Sequence, residues 1–77
     1  MFRSFVTVVG YQRENGERRD DVGDFAVLIA KDSSWPVFCD DQERLRRYVE
    51  SQGAGPVTLT AFDQLYEEYK KRMAERL

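Results

Sequence analysis

Seventy-seven residues supply material for one small domain with a single modest core, since a chain this short hides only about 60% of its unfolded surface. Charged residues make up 34% and apolar classes 42%, a globular balance, and no apolar run nears the roughly 20 residues that cross a bilayer. Histidine is absent and cysteine occurs once, which excludes a disulfide framework, a multi-Cys/His zinc site and histidine-based catalysis. No basic-then-apolar leader is visible, so the expectation is a soluble, reduced, cytoplasmic, helix-rich module.

The first segment is ambiguous. Val6, Thr7, Val8 and Val9 are β-branched and favour a strand, and Asn15-Gly16 suits a hairpin turn. Yet Glu17-Arg18-Arg19-Asp20 has no alternating apolar pattern with which to form a returning strand. Phe2, Phe5, Val6 and Val9 also fit a helical stripe, and an unpartnered strand leaves its backbone groups unpaired. The reading is therefore a helix over Ser4 to Arg13, capped by Ser4.

Val22, Phe25, Ala26 and Ile29 recur at i, i+3, i+4 and i+7, which places them on one helical face. Asp21 then acts as the N-cap, with Asp24 as first-turn acid, and the helix stops near Asp32 ahead of Trp35-Pro36. A further helix begins at Asp40 or Asp41, with Glu43 at capping-box spacing from Asp40 and an apolar stripe of Leu45, Tyr48 and Val49. Gly53, Gly55 and Pro56 end it.

The last helix runs from about Ala61 to Arg76, with Thr60 and Asp63 as a cap-like pair. Its stripe is Phe62, Leu65, Tyr66, Tyr69, Met73 and Leu77. Its outer face offers Glu67–Lys71, Glu68–Arg72 and Lys71–Glu75 at i, i+4, each pair contributing about 0.2–0.5 kcal/mol. The three connecting stretches are short, so the fold class is all-α, a compact four-helix bundle over residues 1–77.

Phe25-Ala26, Asp32 and Trp35-Pro36 together resemble the F-A-x-x-x-x-x-D-x-x-F-P signature of the YozE-like family, small bacterial proteins with a SAM-like (sterile alpha motif-like) bundle. Ser4-Phe5, Tyr11 with Arg13, Leu45-x-x-Tyr48-Val49-Glu50 and Phe62-Asp63-x-x-Tyr66-x-x-Tyr69 match the rest of its pattern in order. The resemblance spans Ser4 to Tyr69 and implies four helices. It implies no particular reaction, and a SAM-like fold serves both protein pairing and nucleic-acid binding. Trp35 stands where the family has Phe, Tyr66 where it has Trp, and Val37 where a Lys commonly follows the proline.

Candidate functional residues follow from charge and aromaticity. The chain carries 12 Lys+Arg against 14 Asp+Glu, a formal net charge of −2, so any basic face must be local. Arg44, Arg46 and Arg47 with Lys70, Lys71 and Arg72 form such a face for phosphates if their helices are neighbours. The competing reading is a solvated face of ion pairs, Glu43–Arg47 and Arg46–Glu50 among them. Trp35 is either an exposed anchor for a partner or, the favoured reading, a plug for the bundle end with its N–H hydrogen-bonded.

Tyr66 and Tyr69 read as core rather than as base-stacking platforms. Cys39 reads as a buried structural thiol, since no base stands near it to make it a nucleophile. The acids at helix starts read as caps, and Asp20, Asp21 and Asp24 lack the glycine-containing loop of a calcium site. No catalytic, cofactor or metal residue is expected. The expectation is a non-enzymatic module with a protein partner, monomeric or weakly self-associating, with nucleic-acid binding as the alternative.

Overall fold

Helix α1 spans Phe2–Glu14 in the computed structural model, which describes residues 1–75; α2 spans Asp21–Lys31, α3 Gln42–Ser51 and α4 Pro56–Glu75. The β-branched run at Val6–Val9 is helical because Phe2, Val6 and Val9 fall on one face and bury there, and burial overrides local propensity. The helix begins two residues before Ser4. Its first turn is capped from a distance: Asp40, in the α2–α3 loop, accepts the Phe2 N–H at 2.8 Å.

Asn15-Gly16 closes this helix instead of turning a hairpin. The Glu17 N–H donates to the Gln12 carbonyl and the Gly16 N–H to that of Arg13, the paired bonds of a Schellman motif. Gly16 has φ of 77°, a left-handed conformation that a side chain would strain. Asp20, one residue before the expected cap, accepts the Gly23 N–H and starts α2. Arg18 reaches back to Asp20 and forward to Glu68 on α4, so its guanidinium ties the α1–α2 loop to the last helix. Glu68 is thereby taken from its expected partner Arg72.

Asp41 caps α3 by accepting the Arg44 N–H, and Gly53, with φ of 83°, turns the chain just past the C-cap Gln52. Helix α4 starts five residues earlier than expected, with Pro56 at its first position, where a missing N–H costs nothing and φ is already helical. Thr60 and Asp63 therefore lie inside the helix and cap nothing. Phe62, Leu65, Tyr66 and Tyr69 bury as expected, whereas Met73 is largely exposed; Leu77 lies outside the described residues.

Helix α4 is the spine. It packs against α1, α2 and α3, and α1 packs broadly on α2. The core centres on Phe2, whose ring meets Trp35, Phe62, Tyr66 and Tyr69 at centroid separations of 5.2–6.3 Å. Tyr66 donates its hydroxyl to the Asp40 carbonyl at 2.6 Å, locking the α2–α3 loop onto the same cluster. Helices α2 and α3 do not pack on each other among the described residues, and their splay leaves a groove.

Candidate functional site

Consecutive residues on a helix point about 100° apart, so Lys70, Lys71 and Arg72 cannot share one face. Lys70 pairs with Glu67 at 2.8 Å, and that carboxylate raises its pKa. Lys71 lines a shallow recess with Arg18, Asp20, Asp63 and Glu68. Arg72 lies over the Phe5 ring on the α1 side, 5.9 Å from its centroid.

On α3, Arg46 bonds Glu50 on its own helix and Asp63 across on α4, both within 3.3 Å. Arg47 bonds Glu43 at 2.6 Å, as expected. Arg44 is exposed, and neither it nor Lys71 forms an ion pair among the described residues. The lysine pairs expected at Glu67–Lys71 and Lys71–Glu75 do not form.

Trp35 is 4% exposed and fills the bundle end, its ring tilted against Phe2 at 6.3 Å and meeting Tyr48 edge-on at 5.2 Å. It is not a surface anchor. Its indole N–H has no hydrogen-bond partner, contrary to the expectation, because Phe2 and Tyr48 surround the ring with aromatic carbon. Tyr66 and Tyr69 are buried, and desolvation raises the pKa of both phenols. Cys39 is only half-buried against the edge of the core.

The α2–α3 groove holds the most distinctive local chemistry. Phe25, Ile29, Trp35 and Val49 form its apolar lining, with Leu28, Gln52, Ala54 and Thr58 around them. Its volume is about 300 Å³. Tyr48 closes one end by donating its hydroxyl to Asp32 at 2.6 Å. Asp32 also accepts the Ser34 N–H. The Tyr48 bond, then the Ser34 bond, hold the Asp32 carboxyl below its usual range, and Asp32 in turn pushes the Tyr48 phenol up.

Beyond Leu28 the groove continues into a recess lined by Asp21, Asp24, Phe25, Val57 and Ala61. Leu28 is 66% exposed and Val57 68%, and the two share this recess from opposite helices. Sequence reasoning missed both. Leu28 is apolar but lies off the buried stripe of α2, which is a legible signal for an outward apolar residue; Val57 precedes Ala61, where the sequence pattern starts the last helix. Phe38, 87% exposed in the α2–α3 loop, is a separate apolar projection.

Among the described residues no cluster of His, Cys, Asp and Glu is arranged to hold a metal, and no helix is long and apolar enough to cross a membrane.

The profile of the YozE SAM-like fold matches residues 10–71. A UPF0346 protein of Streptococcus thermophilus is 36% identical over 69 residues, covering 90% of this chain and 96% of the relative. One from Staphylococcus saprophyticus is 42% identical over 52 residues, covering 68% and 71%, and one from Streptococcus mutans is 33% identical over 69 residues, covering 90% and 96%. No solved structure matches the chain. Four helices in the expected order, the Phe25–Pro36 signature seated at the bundle end, and these matches lead to one assignment: the chain belongs to the YozE-like family with a SAM-like fold.

Proposed function

We propose that this chain is a non-enzymatic protein-interaction module that docks a partner in the groove between α2 and α3. The observation that carries the reading is the pair Leu28 and Val57, two large aliphatic side chains held outward on either side of the recess between α2 and α4 into which the groove continues. A single exposed aliphatic residue needs no explanation, but two that face one depression form the kind of patch that a partner covers.

The competing nucleic-acid reading draws less support. Arg46, Arg47 and Lys70 are each held by a carboxylate, so a phosphate must displace that carboxylate before it gains the cation.

Site-specific photocrosslinking in the host cell tests the proposal. A benzophenone side chain replacing Leu28 or Val57 is expected to give a discrete, protease-sensitive adduct. The same group at Tyr11, an exposed aromatic position on α1, is expected to give none. Absence of adducts at both groove positions, or adducts removed by nuclease instead of protease, overturns it.

A further inference from the structure

We infer that the occupant of this groove is a basic amphipathic helix of a partner protein, an inference that rests on the docking reading above. The argument is electrostatic. The residues lining the groove and its continuing recess include three carboxylates, Asp21, Asp24 and Asp32, and no lysine or arginine.

Asp21 and Asp24 sit in the first turn of α2, where the helix dipole offsets part of their charge, so the Tyr48 end carries the less compensated acid. Helix α3 has no basic residue in its last turn to offset the negative end of its dipole, and Gln52 at that end lines the groove with Asp32. The cations near the end of α2 are held on the α1 side: Arg3 donates to the Ala30 carbonyl, and Lys31 pairs with Glu14. Asp32 itself is bonded by a phenol and a backbone N–H, neither of which cancels its charge. At the other end Asp24 is paired with Arg13, but Asp21 forms no ion pair among the described residues. A ligand with cations therefore gains what the groove lacks, and an acidic one meets repulsion.

The geometry selects a helix. Asp21, Phe25 and Leu28 stand at i, i+4 and i+7 on one stripe of α2, and Asp32, the extended residue that ends the helix, follows at i+11, so apolar side chains lie between two acids. At 1.5 Å per residue that stripe runs about 16 Å, three turns of a facing helix. Such a helix sets apolar residues on Leu28 and Val57 and carries Lys or Arg at its ends, one of them reaching Asp32. An extended strand is disfavoured, since the groove walls are helices with their backbone bonds already made.

The test is an ¹⁵N-NMR titration of the whole chain with a synthetic three-to-four-turn helix bearing a leucine stripe and lysine flanks. The control is the same peptide with glutamate in place of each lysine. Saturable shifts are expected around Leu28, Asp32, Tyr48, Gln52 and Val57, with binding about tenfold weaker for the glutamate peptide. Leu28→Lys is expected to abolish the shifts while the unfolding midpoint stays near that of the parent. Asp32→Asn is expected to weaken the lysine peptide and reduce its salt dependence.

Equal affinity for the two peptides, shifts centred elsewhere, or no saturable shifts overturns the inference. So does a concentration-dependent dimer that Leu28→Lys dissolves, which assigns the groove to a second copy. Protein crosslinks at position 28 combined with indifference to peptide charge overturn the basic helix alone, whereas absence of those crosslinks overturns docking itself.

Discussion

At the indole of Trp35, the structure keeps a polar hydrogen with nothing to bond. A buried unpaired donor costs about 1–3 kcal/mol, yet the ring fills the end of the bundle against Phe2 and Tyr48. Trp35→Phe removes the orphan N–H and loses part of the packing, so the two effects oppose each other. The expected net destabilisation is below about 1.5 kcal/mol in urea unfolding, far less than for truncation to alanine.

The Asp32–Tyr48 bond behaves differently, through pH. Asp32 has a depressed pKa when folded, so its contribution is present above the unfolded value and vanishes as pH falls through the folded one. Tyr48 has a raised pKa, so its contribution holds below the ordinary phenol value and is lost as pH rises through the folded one. Thermal melts from pH 2 to 11 should show a decline on both flanks. Asp32→Asn should flatten the acid flank, and Asp20, also depressed by Arg18, should leave part of it standing.

Among the helices, interiors were more legible than ends. The apolar stripes of α2 and α3 follow from spacing alone, and three of the four rings that meet Phe2 sit on α4 where periodicity places them. The ends shifted for local reasons. Asp20 and Asp21 are chemically interchangeable as caps, and the choice of Asp20 also brings its carboxylate to Arg18, a pairing that depends on tertiary position. Gly55-Pro56 reads equally as a turn or as the first step of a helix, and only packing against the bundle decides.

The groove was least legible, because it arises from two helices failing to meet, which no single segment encodes. Asp20→Ala should cost about 1–2 kcal/mol, since it removes a helix cap and one partner of Arg18. Gly16→Ala should cost about 1 kcal/mol through its left-handed backbone. Chemical denaturation with an unchanged m-value checks both.

Across the whole molecule, the radius of gyration of 11.7 Å is near the roughly 11.5 Å expected for a compact chain of this length. Stability is correspondingly concentrated. Phe2 is fully buried at the meeting point of four aromatic rings, and its replacement by alanine should cost about 3–5 kcal/mol. Small domains hold only about 5–15 kcal/mol in total, so Phe2→Ala should lower the melting temperature by tens of degrees or leave the chain unfolded at 37 °C, as circular dichroism would show.

The same ring has an implication for the order of folding. Phe2 finds its neighbours at Trp35, Phe62, Tyr66 and Tyr69, and its amide finds Asp40, so α1 draws its aromatic contacts from the α2–α3 loop and from α4. Helices α1 and α2 can meet through their own broad contact, but the ring stays partly uncovered until α4 docks. Cooperativity between the two ends of the described chain is thus wired through one side chain.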